Sequence, residues 1–219
     1  GAVTVDGDAP DFTSCAATDG TYKIGDTLTI TCTWDEAVVT SNGALTLSNS
    51  DTATYSSGSG SVNIVFTTTV ASGDTDASDL SVSAYTGTIA DAAGGAAGAA
   101  SGDLGAVIID ANVPTLTTVS IATAGTGNAN NGDDVTLSFT ASEAIGTPTC
   151  TMTDGDGNAM ANSVTTSEGS NNAWTCVIDT ADDDGDGAIT FSIAFSDDAG
   201  NAGTAVTSTS DSTSVTIDN

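Results

Sequence analysis

Along Thr27-Leu28-Thr29-Ile30-Thr31-Cys32-Thr33-Trp34, apolar and hydroxyl side chains alternate without a break. Successive side chains of a strand point to opposite faces, so Leu28, Ile30, Cys32 and Trp34 share one side and the threonines the other. Shorter runs follow the same rule: Phe12 to Cys15, Ala44 to Leu47, Ala53 to Tyr55, Val62 to Val70, Leu80 to Tyr85 and Val107 to Ile109. Each is bounded by Gly, Asn, Asp or Ser, the residues of tight turns. No window has a helical period with caps, and the Ala- and Gly-rich stretch 92–102 reads as a loop because its glycines disfavour a helix. The pattern predicts an all-β protein built from antiparallel sandwiches.

The pattern also repeats. Gly132-Asp133-Asp134-Val135-Thr136-Leu137-Ser138-Phe139 aligns without a gap on Gly25-Asp26-Thr27-Leu28-Thr29-Ile30-Thr31-Cys32, and Asp197-Asp198-Ala199-Gly200-Asn201 answers Asp91-Ala92-Ala93-Gly94-Gly95. The string at 105–114, a short strand, an acidic turn and a Pro, nearly repeats residues 1–10, and a truncated copy closes the chain at 214–219. These copies predict two tandem domains, 6–110 and 111–219, preceded by an extra strand at 1–5. The first copy has no body of its own ahead of it, so Ala2, Val3, Thr4 and Val5 are read either as the trace of a longer array or as an assembly strand that joins one copy of the chain to the next.

Charge sharpens the picture. Against 29 acidic residues stands one base, Lys23, with no Arg and no His, for a net charge of −28. Nucleic acid and anionic membranes are repelled by such a surface. An apolar share of 38% excludes a disordered acidic tail. So much unbalanced charge calls for screening by salt or by divalent cations. No apolar run is long enough to span a bilayer, so no direct membrane insertion is expected, and no secretory leader opens the chain, which points to a removed leader or a cut from something longer.

Four cysteines fall two per domain, Cys15 with Cys32 and Cys150 with Cys176. Without CxxC spacing or His they favour one disulfide in each domain over zinc, with free buried thiols as the alternative, and place the chain outside the cytoplasm. Absent His and Arg, a single Lys and the lack of a GxSxG elbow remove the usual acid, base and oxyanion parts, so no catalytic residue is assigned. Glu36 and Glu143 occupy equivalent places in different domains and cannot flank one scissile bond.

Asp182-Asp183-Asp184-Gly185-Asp186-Gly187 contains the DxDxDG start of a calcium loop, in which Asp182, Asp184 and Asp186 converge on one cation; Ile193 at the twelfth position excludes a helix-flanked calcium hand. A solvated acidic hairpin is the other reading. Asp154, Asp156 and Asn158 form a weaker version. Asp110 and Asn112, with Asp6, Asp8 and turn residues such as Asp198, are candidates for a cation at the domain junction.

The junction "VD…AP", the repeats "GDTLTITCTWDEAV" and "GDDVTLSFTASEAI", the turn "DDAGN" and the ending "VTIDN" together resemble bacterial Ig-like repeats found in tandem in large secreted surface proteins. The resemblance spans the chain and implies extracellular sandwiches at a cell surface, serving as stalk, adhesin or filament modules and in some cases stiffened by calcium. The expected function is a structural subunit that assembles head to tail with copies of itself or neighbouring Ig-like repeats. The alternative is an adhesin module whose end loops bind a glycan or a protein.

Overall fold

A computed structural model of the chain describes residues 7–125 and 127–219. The proposed assembly strand Ala2, Val3, Thr4 and Val5, with Asp6, lies outside the described residues. The chain divides into two compact units, Gly1–Asn112 and Val113–Asn219, and every regular element among the described residues is a strand.

In unit one these are β1 (Phe12–Ala16), β2 (Gly20–Lys23), β3 (Thr27–Val38), β4 (Gly43–Leu47), β5 (Thr52–Ser57), β6 (Ser61–Thr69), β7 (Ser81–Gly87), β8 (Gly102–Asp103) and β9 (Val107–Asp110). Seven of them form a sheet in the order β1-β3-β6-β5-β4-β7-β8. Leu28, Ile30 and Phe66 from one half of that sheet and Leu45, Leu47 and Val82 from the other belong to a single buried cluster, so the sheet folds over its own core. The alternation in β3 is realised in full: Leu28, Ile30 and Cys32 are wholly buried and Trp34 is 1% exposed. The 92–102 stretch is a loop apart from its last residue, which begins β8, and its small residues serve the indole: Trp34 Nε1 donates to the Gly98 carbonyl at 3.3 Å, and the Phe12 ring meets the indole edge-on at 5.7 Å.

Unit two contains β10 (Leu116–Thr123), β11 (Asn128–Ala129), β12 (Asp134–Ala141), β13 (Thr149–Thr153), β14 (Thr165–Glu168), β15 (Ala173–Asp179), β16 (Gly187–Ala188), β17 (Thr190–Ala194) and β18 (Thr216–Ile217). A four-stranded layer β10-β12-β15-β14 faces the pair β13-β17, with β11-β18-β16 alongside. The correspondence with unit one is strand for strand: β1-β3-β6-β5 matches β10-β12-β15-β14, and β4-β7 matches β13-β17. This is the A-B-E-D layer against the C-F pair of the Ig-like sandwich. One feature departs from the wholly antiparallel expectation. The closing strand of each unit, β9 or β18, pairs in parallel with the short strand β2 or β11. Alternation marks a strand without saying in which direction its neighbour runs.

Both disulfides form, between Cys15 and Cys32 and between Cys150 and Cys176, and they staple different things. Cys15 and Cys32 face each other on the adjacent strands β1 and β3. Cys150 on β13 and Cys176 on β15 tie the two layers of unit two together. Neither takes the B-to-F position of antibody domains. The bridges close loops of 17 and 26 residues, for which loss of chain entropy in the unfolded state predicts about 3 kcal/mol each. Each unit holds one tryptophan, which separates the effects experimentally. In a Trp174→Phe background, indole fluorescence in urea reports unit one, and replacing Cys15 and Cys32 by Ala should lower its stability by about 3 kcal/mol. The Cys150/Cys176 double replacement should leave that signal unmoved.

Candidate functional site

The closing strands are the best-defined candidate. In β9, Val107 and Ile109 are buried while Ile108 is 39% exposed; at the end of unit two, Val215 and Ile217 are buried in the same alternation. Main-chain bonds hold each segment, Leu80 N–H to the Val107 carbonyl at 2.9 Å and Ile189 N–H to the Val215 carbonyl at 2.9 Å. The register sets Lys23, the one base of the chain, opposite Asp110. An asparagine then anchors the end of each strand. Asn112 donates its side-chain amide to Asp76, whose other oxygen accepts the Ala111 N–H at 2.8 Å. Asn219 donates its amide to the Ala181 and Asp184 carbonyls at 2.9 and 3.2 Å, while its N–H reaches Asp186 at 2.9 Å. Asp76 was not singled out from sequence; its place opposite the junction is a product of tertiary contact.

Two of the candidate cation ligands, Asp154 and Asp184, are buried and occupied by main-chain amides. Asp154 is 4% exposed, and its carboxylate accepts N–H groups from Asn158 at 2.8 Å, Asp156 at 3.1 Å and Gly185 at 3.0 Å. Asp184 is 5% exposed and accepts from Ala161 and Ala181 at 2.9 and 2.8 Å. Asp182, Asp156 and Asn158 are exposed at the surface, as are Asp8 and Asp198. Among the described residues no three acidic or cysteine side chains gather in an arrangement that could hold a metal ion. The two acidic turns instead lock on each other. Gly155 N–H donates to the Gly185 carbonyl at 3.0 Å, and a Cβ on Gly155 would fall 2.0 Å from the Asp186 carbonyl oxygen, a space only glycine fits.

Asp154-Gly155-Asp156-Gly157-Asn158 is therefore the same device as the turns at Asp91 and Asp197. In each, a buried Asp opens the turn, its N–H donates to the carbonyl four residues on, and the residue three on donates back to the Asp carbonyl. Its carboxylate takes the inner amides, Gly94 and Gly95 for Asp91, Gly200 and Asn201 for Asp197. The fourth residue is a glycine with positive φ, 92° at Gly200, a conformation in which a Cβ is strained. A second device recurs at Lys23 to Asp26, Ala71 to Asp74 and Asn130 to Asp133, where the final carboxylate accepts the first N–H of the turn. The spacing D-x-x-G-N or D-x-x-G-G was the signal that could have identified all three of the first set.

These bonds have opposite consequences for two acids. The N–H of Gly185 above all, then those of Asn158 and Asp156, hold Asp154 below the usual carboxylate range. Asp134 is pushed above it by a hydrogen bond to Asp179 and by that neighbour's charge, the two standing opposite each other on β12 and β15. The depressed Asp154 supports the fold above its unfolded pKa, and that support is lost as pH falls through the folded value; the raised Asp134 favours the fold at low pH, and that support fades as pH rises through its folded value. Asp134→Asn should accordingly raise the melting temperature at pH 7 and lose that advantage in acid, whereas Asp154→Asn should lower it at pH 7 and matter less in acid. Thermal melts across the carboxylate range would show both signs.

The strand order defines the class: two Ig-like β-sandwich units in tandem, disulfide-bonded. Among solved structures, the chain is similar to the D1-D2 pair of Rst at 13% identity, covering 96% of this chain and 99% of that one with a TM-score of 0.38. It is similar to a tetra-tandem repeat from the extending region of a large adhesion protein at 18% identity, covering 95% and 49% with a TM-score of 0.37. A third likeness is to the Yersinia pseudotuberculosis adhesin InvE, at 15% identity, 94% and 58% coverage and a TM-score of 0.31. No protein-family model and no curated protein matches the chain.

Proposed function

We propose that the chain is a non-enzymatic structural segment of an extracellular filament, surface layer or stalk, with copies or neighbouring Ig-like repeats joined end to end through β-strand junctions. The observation that carries this reading is the closing strand. Val107-Ile108-Ile109-Asp110 and Val215-Thr216-Ile217-Asp218 are both buried on alternate residues, the first held by β2 and a bridge to Ala77, the second between β11 and β16, and Val3-Thr4-Val5-Asp6 repeats their sequence. Both described slots hold their own strand; in this proposal the third copy serves a different unit or an open edge. Strand β14, paired only with β15 among the described residues, is such an edge. Disulfides that persist in oxidising surroundings support a place outside the cell.

Electron microscopy of the intact chain and of a variant lacking residues 1–5 tests the joint. End-to-end assembly should be lost in the shortened chain; equal assembly by both would remove strand donation from the reading.

Calcium, in this proposal, acts as a counterion to the summed charge and not in a built cage, because the inward carboxylates already serve amides. Calcium and magnesium at matched ionic strength should raise the melting temperature of chelated protein alike. A saturable rise with calcium alone would instead restore a cage at Asp182, Asp184 and Asp186.

A further inference from the structure

The outer faces of the two four-strand layers are rich in threonine and serine, with rows that carry no charge in a chain of net charge −28. In unit one, Thr29, Thr67 and Thr54 stand in one row across β3, β6 and β5, and Thr27 faces Thr69 in the next. From Thr27 to Thr33 no outward residue of β3, and no residue opposite it on β6, is ionisable, and the exposed Asp35 lies just beyond that run. Unit two builds the same surface from other residues. Ser120, Ser138, Thr175 and Ser167 form a row across all four strands, and the charged residues Asp134 and Asp179 face each other on the same side further along β12 and β15.

Turn residues explain why the acids are elsewhere: aspartate is needed where N–H groups must be taken up, and a strand interior has none to spare. The consequence is electrostatic. Two copies of a strongly acidic chain repel through any surface that carries the turns, and the hydroxyl rows of these faces are where two sheets approach with the fewest opposing carboxylates. Hydroxyls and methyls of Thr suit such a contact, since each side chain offers one donor, acceptor lone pairs and an apolar group.

We propose that the threonine-rich faces are lateral contact surfaces for a second copy of this chain. Four strands about 4.8 Å apart and about seven residues long give a face of roughly 400 Å², about half of what one partner buries in a stable interface. A single face pair is thus weak, and contact becomes firm when many pairs act together, as they do between end-joined copies. The multivalent strength rests on the assembly reading above; the pairwise attraction does not.

Static light scattering of the full chain reads that attraction as the osmotic second virial coefficient. It should be repulsive at low salt and become attractive near 1 M NaCl, where screening reaches only about 3 Å. Thr29→Asp with Thr54→Asp, both exposed, should make the coefficient less attractive in high salt, as should the unit-two pair Thr118→Asp with Ser167→Asp, and the four together should keep it repulsive. Ser72→Asp with Ser78→Asp adds the same charge at exposed loop positions and should stay attractive. Circular dichroism confirms that each variant is folded, and the two independent face pairs guard against one that is not. A chain that stays repulsive near 1 M NaCl, face and control variants that behave alike, or native protein carrying O-linked sugar on these threonines would each overturn the proposal. Removing residues 1–5 should leave the coefficient unchanged, so failure of end joining and failure of lateral contact are told apart.

Discussion

Every tight turn in a sandwich leaves main-chain N–H groups that point inward, and this chain meets the need with aspartate. Asp91, Asp154 and Asp197 each take up the inner amides of a five-residue turn, and Asp26, Asp74 and Asp133 do so for a second turn type. An unsatisfied buried amide costs about 1–3 kcal/mol, so these carboxylates are structural before they are anything else. Strand pairing, register and the disulfides all presuppose that the chain reverses at these points.

That constraint recasts the charge. A composition of 29 acids and one base invites a reading in terms of bound cations. The structure gives many of the acids a different occupation, as internal acceptors at the ends of strands, with Asp76 and Asp186 extending the same role to the anchors behind the closing strands. What remains as a net field repels copies of the chain from one another.

The two units show how a shared plan admits different staples. Both use the same strand order and the same parallel closing pair, but one bridge lies within a layer and the other across layers. Cys32 occupies the place that Phe139 fills in unit two, each buried on the second strand of its layer. A core position of this kind accepts either sulfur or ring, because what the fold requires there is apolar volume.

Sequence by itself determined the longer strands of unit one, the repeat, the core face of β3 and β12 and the pairing of cysteines by unit, because period-2 alternation and internal similarity are local properties of the chain, whereas the short strands β2, β8, β11 and β16 carry no such alternation. Tertiary structure decided the rest. The parallel direction of β2 against β9 depends on where a strand returns after a long excursion, which no local pattern records. The role of Asp154 depended on Gly185, 31 residues away, whose amide closes the carboxylate's shell. The DxDxDG string is composed like a cation loop, and only its contacts show Asp184 turned to the N–H groups of Ala161 and Ala181. A carboxylate's chemistry belongs to whatever donors the fold brings within hydrogen-bond distance, and beside the local turn amides Asp154 and Asp184 each take one from a distant part of the chain, Gly185 and Ala161.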